Sequence, residues 1–239
     1  MADFLSRTRQ LVGEEAVNRL QASKVALFGL GGVGSYTAEA LARAGIGRFL
    51  LVDADTVELS NINRQLYALH STLGKAKVEL AAERIRSINP QAEIETRQLF
   101  FLPENADEFD LAGVDFIADA IDTVAAKVEL AVRAQALGTP LASCMGTGNK
   151  LDPTRFEVAD IFSTSVCPLC KIMRKLLKER NVKKLTVIYS KEVPLPPLPG
   201  TPPGKRPPAS ISYVPPVAGF ILAGVIIRAL GGISTPAPR

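Results

Sequence analysis

At 239 residues, with 47% hydrophobic and 22% charged side chains, the chain has the proportions of a soluble enzyme and enough apolar material for a sizeable core. Three cysteines cannot build a secreted disulfide framework, and the N-terminus carries no charged-then-apolar leader, so a reducing cytoplasm is the expected compartment. The net charge of +4 is too small to name a partner; its distribution along the chain says more.

In chain order, apolar strand-like runs alternate with helical patterns, the signature of a parallel α/β sheet. Strands are predicted over 24–29, 48–53, 92–98, 114–119 and 140–144, with helices over 33–44, 74–88 and 123–137 between them. Further strands are predicted over 156–161 and 185–189, separated by a basic helix over 168–180. From 171 to 191 eight Lys/Arg (Lys171, Arg174, Lys175, Lys178, Arg180, Lys183, Lys184, Lys191) face one acid, Glu179, a local +7 that leaves −3 elsewhere. Such a block suits a polyanionic partner, and equally the solvated face of a helix. The stretch 193–208 contains eight prolines, too many missing N–H groups for regular structure, and reads as a mobile loop. The apolar stretch 213–230 approaches the length of a bilayer span, about 20 residues. Its two prolines at the start and Arg228 near the end favour a buried terminal helix over a membrane anchor. The resulting fold is an α/β, Rossmann-like three-layer domain over 1–239, with a nucleotide-binding core over 20–150 and an extension over 151–239.

The chemistry begins at the glycine-rich turn. Gly29, Gly31, Gly32 and Gly34 lie where a strand turns into a helix, so backbone can approach a phosphate and offer it helix N-terminal N–H groups. Asp53, at the end of the next strand, is placed to accept hydrogen bonds from ribose hydroxyls, which suits NAD and ATP equally. The discriminating residues follow: Asp55, Asn61, Asn63, Arg64 and Gln65 crowd one connection, Lys75 and Lys77 open a helix, and Asp119 and Asp122 end a later strand. In a parallel sheet these strand ends converge on one crevice. Cleavage between the α and β phosphates of ATP builds charge that calls for Arg64, Lys77 and a carboxylate-bound Mg²⁺, best supplied by Asp122; hydride transfer needs none of these. The run GKAK at 74–77 lacks the Ser/Thr and the upstream glycine of a Walker A loop.

The ordered set GxGGxG, DAD, SNINRQ, GKAK and DAID resembles, over roughly 20–149, the adenylation core shared by ubiquitin-activating enzymes and the bacterial ThiF and molybdopterin-synthase-activating proteins. That resemblance implies Asp53 as ribose ligand, Asn61 and Arg64 on phosphates, Lys77 at the reacting α-phosphate and Asp122 on Mg²⁺. It also implies a homodimer in which an arginine, Arg7 rather than Arg9, reaches into the partner's nucleotide site. The segments RTRQLVGEEAV, NINRQLYALHSTLGKAKVE, ERIRSINP, DAIDTVAAK, MGTGNKLDPTRFEVADI and TSVCPLCKIMRKLLKER are similar, close to full length, to the tRNA threonylcarbamoyladenosine dehydratase family. The resemblance implies ATP-driven cyclisation of a threonylcarbamoyl adenosine in tRNA through an acyl adenylate, with the +7 block facing tRNA. The alternatives are an activator of a ubiquitin-like sulfur carrier and a module that binds ATP without turnover; the presence of Arg64, Lys77 and Asp122 argues against the second.

The cysteines bear on that choice. Sulfur-carrier activators typically carry two CxxC pairs that form a Cys₄ zinc site, whereas Cys167 and Cys170 are the only pair here and Cys144 stands alone. Zinc would need a further ligand such as His70, whose expected role is instead packing or capping. Pro168 marks a helix start that would lower a nearby thiol pKa, leaving a redox or sulfur-relay role, the latter with a relay protein as partner, beside a structural one.

Overall fold

The computed structural model describes residues 3–196 and 208–234. Strands β1 (Lys24–Phe28), β2 (Arg48–Val52), β3 (Glu93–Arg97), β4 (Phe116–Asp119), β5 (Leu141–Cys144), β6 (Phe156–Asp160) and β7 (Thr186–Ser190) form one sheet in the order β3-β2-β1-β4-β5-β7-β6. Every neighbouring pair is parallel except β6 and β7. The central strands are buried along nearly their whole length, as expected for strands covered on both faces. Strand order reverses between β1 and β4, which opens a crevice beyond their carboxyl ends.

Seven helices cover this sheet among the described residues: α1 (Ser6–Val12), α2 (Glu14–Ala22), α3 (Gly34–Arg43), α4 (Lys77–Ile88), α5 (Val124–Leu137), α6 (Pro168–Glu179) and α7 (Val214–Gly231). On one face Leu20, Leu41, Ile85 and Leu222 from α2, α3, α4 and α7 join Phe49 and Leu51 of β2 in a continuous core. On the other face α5 packs against Phe28, Phe101 and Phe109, whose ring centroids lie 5.0 to 6.0 Å apart, and α6 adds Met173 and Leu177 against Tyr189. The result is the predicted three-layer α/β, Rossmann-like fold.

Most predicted boundaries fall within a residue or two of the observed ones. The helix predicted from 74 starts at Lys77, because residues 74–76 instead form a short antiparallel ribbon with 55–57: the Val57 N–H donates to Lys75 O (2.9 Å), and Gly74 N–H to Val57 O (2.9 Å). Helices α1 and α2 had no predicted counterpart; at 7 and 9 residues they are too short for a clear apolar period, and α1 buries no side chain. The apolar stretch near the C-terminus is α7, long and apolar enough to cross a membrane (mean hydropathy 1.8), with half of its residues buried in the protein. It lies on α3, where Thr37 Oγ1 donates to Gly219 O (3.1 Å) and the Tyr36 and Phe220 rings sit 5.7 Å apart. Of the proline-rich stretch, residues 197–207 lie outside the described residues.

Candidate functional site

The glycine turn closes only because two of its residues lack a side chain. Gly29 holds φ +86°, and a Cβ there would sit 2.7 Å from Ala120 O; a Cβ on Gly34 would sit 1.8 Å from Gly29 O. That contact lets the start of α3 press onto the end of β1. The amides of Gly31, Gly32 and Val33 donate to no group among the described residues, so the turn presents open N–H groups at a helix N-terminus. Asp53, just past β2, accepts from Leu30 N–H (2.6 Å) through Oδ2 and from Asp55 N–H (2.9 Å) through Oδ1. Burial raises its pKa above the usual carboxylate value, opposed first by the charge of Lys77 and then by those two backbone donors.

The ribbon between 55–57 and 74–76 sets the catalytic lysine candidate. Lys77 N–H donates to Asp55 O (3.1 Å) and Lys77 Nζ meets Asp55 Oδ2 at 2.7 Å; the lysine is 5% exposed while the Asp55 carboxylate faces solvent. Arg64 is half-buried beside Gly32, its aliphatic stem 3.2 Å from where a Gly32 Cβ would lie, and its Nη1 donates to Ser60 O (3.1 Å) and Asn63 Oδ1 (2.9 Å). Gln65 is buried under Gly31. Asp122 is exposed in the connection after β4, touched only by Thr123 Oγ1 at 3.4 Å among the described residues. Thus Gly29, Gly31, Gly32, Gly34, Asp53, Asp55, Arg64, Gln65, Lys77 and Asp122 all line the carboxyl edge of the sheet around β1, β2 and β4. Asn61 is buried there too, but its Oδ1 caps a one-turn helix by accepting from Glu58 N–H (3.2 Å). Asn63 is exposed, its Nδ2 donating to Ser210 O (3.0 Å).

Three sequence-based assignments need correction. Asp119 does not face the crevice: it is fully buried, with Oδ2 3.0 Å from Lys127 Nζ and 2.5 Å from Ser143 Oγ, and Oδ1 accepting Ile121 N–H (3.1 Å). Lys127 completes its donor set on Ser143 Oγ (3.0 Å) and Cys144 O (2.8 Å). The sequence reading missed Lys127; its signal was a charge in line with the apolar positions Leu130, Ala131 and Ala134 of α5, eight residues after Asp119. Lys75 does not open a helix but lies exposed in the ribbon. His70 is neither packed nor a side-chain cap: it opens a one-turn helix with its ring exposed. Of the N-terminal arginines, Arg9 is held by Asp3 (3.0 Å) and Glu14 (2.6 Å), whereas Arg7 is exposed and makes no ion pair among the described residues.

The family model described as the ThiF family matches residues 5–239. The chain belongs to the ThiF family. It is 41% identical to a tRNA threonylcarbamoyladenosine dehydratase of Bacillus subtilis over 96% of this chain and 95% of that one. It is 40% identical to the Escherichia coli protein of the same name over 72% of this chain and 64% of that one. The crystal structure of E. coli tRNA N6-threonylcarbamoyladenosine dehydratase in complex with ATP superposes with a TM-score of 0.87 at 32% identity, covering 95% of this chain and 93% of that one.

Two further features of this ThiF-family chain lie outside the crevice. On α6 the buried side carries Cys170, Met173 and Leu177, while Lys171, Lys175 and Lys178 are exposed, with Arg180, Lys183 and Lys184 exposed just beyond. Arg174 is set apart, its guanidinium donating to the carbonyl (3.0 Å) and hydroxyl of Thr164. The cysteines are all free and buried, and no group of three or more His, Cys, Asp or Glu able to hold a metal ion occurs among the described residues.

Proposed function

We propose that this chain uses ATP to dehydrate threonylcarbamoyladenosine in tRNA, acting in the cytoplasm as one adenylating unit. The reading is carried by one juxtaposition: the open amides of Gly31, Gly32 and Val33 share a crevice edge with Asp53, Arg64 and Lys77. The B. subtilis and E. coli relatives supply its substrate class.

In this reading Asp53 keeps lone pairs free for the ribose hydroxyls and the turn amides take phosphate oxygens. The threonyl carboxylate attacks the α-phosphorus, pyrophosphate leaves, and an acyl adenylate forms. The neighbouring carbamoyl oxygen then attacks the acyl carbon and expels AMP, so that water is lost overall and the ring closes without an enzyme nucleophile. Lys77, held in place by Asp55, stabilises charge on the α-phosphate, and Arg64 swings from Ser60 and Asn63 to the other phosphates. Asn61 adds its amide to the same phosphates. Asp122, an exposed carboxylate without a Lys or Arg ion pair among the described residues, would hold a Mg²⁺ ion, which would supply screening of the triphosphate charge. Arg7, which makes no ion pair among the described residues, completes the site of the partner protomer in a homodimer. The lysines of α6 face tRNA phosphates.

The test is nucleoside mass spectrometry after incubating purified protein with ATP and threonylcarbamoylated tRNA. Loss of one water from that nucleoside, with AMP released in equal amount, supports the reading. Intact nucleoside, with ATP consumed only when a sulfur-carrier protein is added, assigns the site to carrier activation instead.

A further inference from the structure

The CxxC pair stands outside the ATP chemistry and is built as a reactive dithiol. Cys167 is the N-cap residue of α6 and Cys170 lies in its first turn, and both are buried. The backbone that delivers Cys167 is strained: its N–H bonds back to Ser165 O (2.6 Å), so the β-branched Val166 sits inside a three-residue turn at φ +62°. Independently of that turn, Lys150 is buried at 4% exposure with no carboxylate in reach among the described residues. Among the described residues its one hydrogen bond is a 3.4 Å contact with Gly148 O, and its charge lowers the Cys167 pKa. A buried ammonium without a counter-charge is costly, and a Cys167 thiolate supplies one.

The groups facing the pair act consistently. The neighbouring Cys170 thiol, the backbone at the start of α6 and the charge of Lys150 favour the Cys167 thiolate, holding it well below the ordinary thiol range against the opposing effect of burial. The same pairing pushes Cys170 up, with Arg174 and Thr164 opposing. Cys144 differs: burial pushes its thiol up to about 12, so it stays protonated.

We propose that Cys167 and Cys170 are a redox-active dithiol that reacts with hydrogen peroxide. The Cys167 thiolate attacks one peroxide oxygen, the O–O bond breaks, and the departing hydroxide takes a proton to leave as water, giving a sulfenic acid. The Cys170 thiol then attacks that sulfur; the S–O bond breaks, the disulfide forms and a second water leaves. Two thiols are thereby oxidised by two electrons and the peroxide is reduced to two waters. An external dithiol restores the pair by exchange. Cys167 is 2% exposed beneath the solvent-facing Ser165–Val166 turn, so that turn must open to admit the peroxide and the reducing dithiol alike.

The experiment treats the reduced full-length chain, freed of reductant, with hydrogen peroxide at neutral pH and maps its tryptic peptides. Residues 156–171 form one peptide holding both cysteines, while Cys144 falls in another. The expected result is a 156–171 peptide lighter by two hydrogen atoms, restored by dithiothreitol, and formed about tenfold or more faster than Cys144 is oxidised. In Cys170→Ser the reaction stops at a Cys167 sulfenic acid that dimedone captures. In Lys150→Gln the midpoint of the pH–rate profile rises by about one unit. Both thiols surviving peroxide that oxidises free cysteine, or Cys144 reacting as fast, would overturn the dithiol in the wild-type chain itself, whatever the variants do. An unchanged midpoint in a folded Lys150→Gln chain would overturn Lys150 as the counter-ion.

Discussion

Replacing Lys127 by methionine tests how the buried ion pair holds the crevice. Lys127 is 1% exposed and its ammonium is fully satisfied by Asp119 Oδ2, Ser143 Oγ and Cys144 O at 2.8 to 3.0 Å. Methionine fills the same volume but leaves the Asp119 carboxylate fully buried with only Ser143 Oγ and Ile121 N–H as partners. Breaking such a pair from one side costs about 3–5 kcal/mol. For a chain of this size each kcal/mol lowers Tm by about 2–4 °C, so Lys127→Met should melt roughly 6–20 °C below wild type. Adding Asp119→Asn removes the orphaned charge and should recover a large part of that loss. Function should follow at temperatures where the variant is folded: Asp119 Oδ1 fixes Ile121 N–H, one residue before Asp122, so turnover should fall through misplacement of that carboxylate. Thermal and urea unfolding of the single and double variants measure the effect, beside AMP release. A Lys127→Met chain within about 1 kcal/mol of wild type, or a double variant as unstable as the sum of the singles, would refute the reasoning.

Four other outcomes follow from the geometry. Arg64→Ala and Lys77→Ala should each lower kcat/KM for AMP release by about 10²-fold or more; because the Asp55 carboxylate left behind by the second is 53% exposed, its melting temperature should barely move, and full activity in either would remove that residue from the site. Gly34→Ala drives a Cβ to 1.8 Å from Gly29 O, so calorimetry should find ATP binding abolished or nearly so; wild-type affinity would contradict the closed turn. Mixing Arg7→Ala and Lys77→Ala chains, each inactive alone, should restore about a quarter of wild-type activity, since half the dimers are mixed and each holds one intact site; no recovery with subunit exchange confirmed would place Arg7 outside the partner's site. A Lys171→Ala, Lys175→Ala, Lys178→Ala chain should bind tRNA more weakly, with the slope of log affinity against log salt shallower by about 0.7–0.9 for each phosphate left without its lysine; an unchanged slope in a folded, ATP-binding variant would return these lysines to the solvated face.

The order β-α-β-α, the glycine turn and the cluster from Asp53 to Lys77 were legible in the chain, because each rests on local rules: apolar period, the residues a tight turn tolerates, and charges placed close together in sequence. The strand ends follow from the same rules, since right-handed crossovers in a parallel sheet bring carboxyl ends to one edge. What needed tertiary structure was the direction and company of each polar side chain. Asp119 and Asp122 stand three residues apart in one DAID run, yet one is sealed against Lys127 and the other open to solvent, because β4 ends at Asp119 and the chain turns outward there. Arg174 lies among lysines of one face but spends its guanidinium on Thr164. Lys150 had no signal at all in its sequence neighbourhood; burial without an acid gives it meaning, and only packing decides burial. Sequence therefore determined which groups are available and where the backbone turns. Their charge states and partners were set by the dielectric and hydrogen-bonding surroundings that distant segments supply on folding.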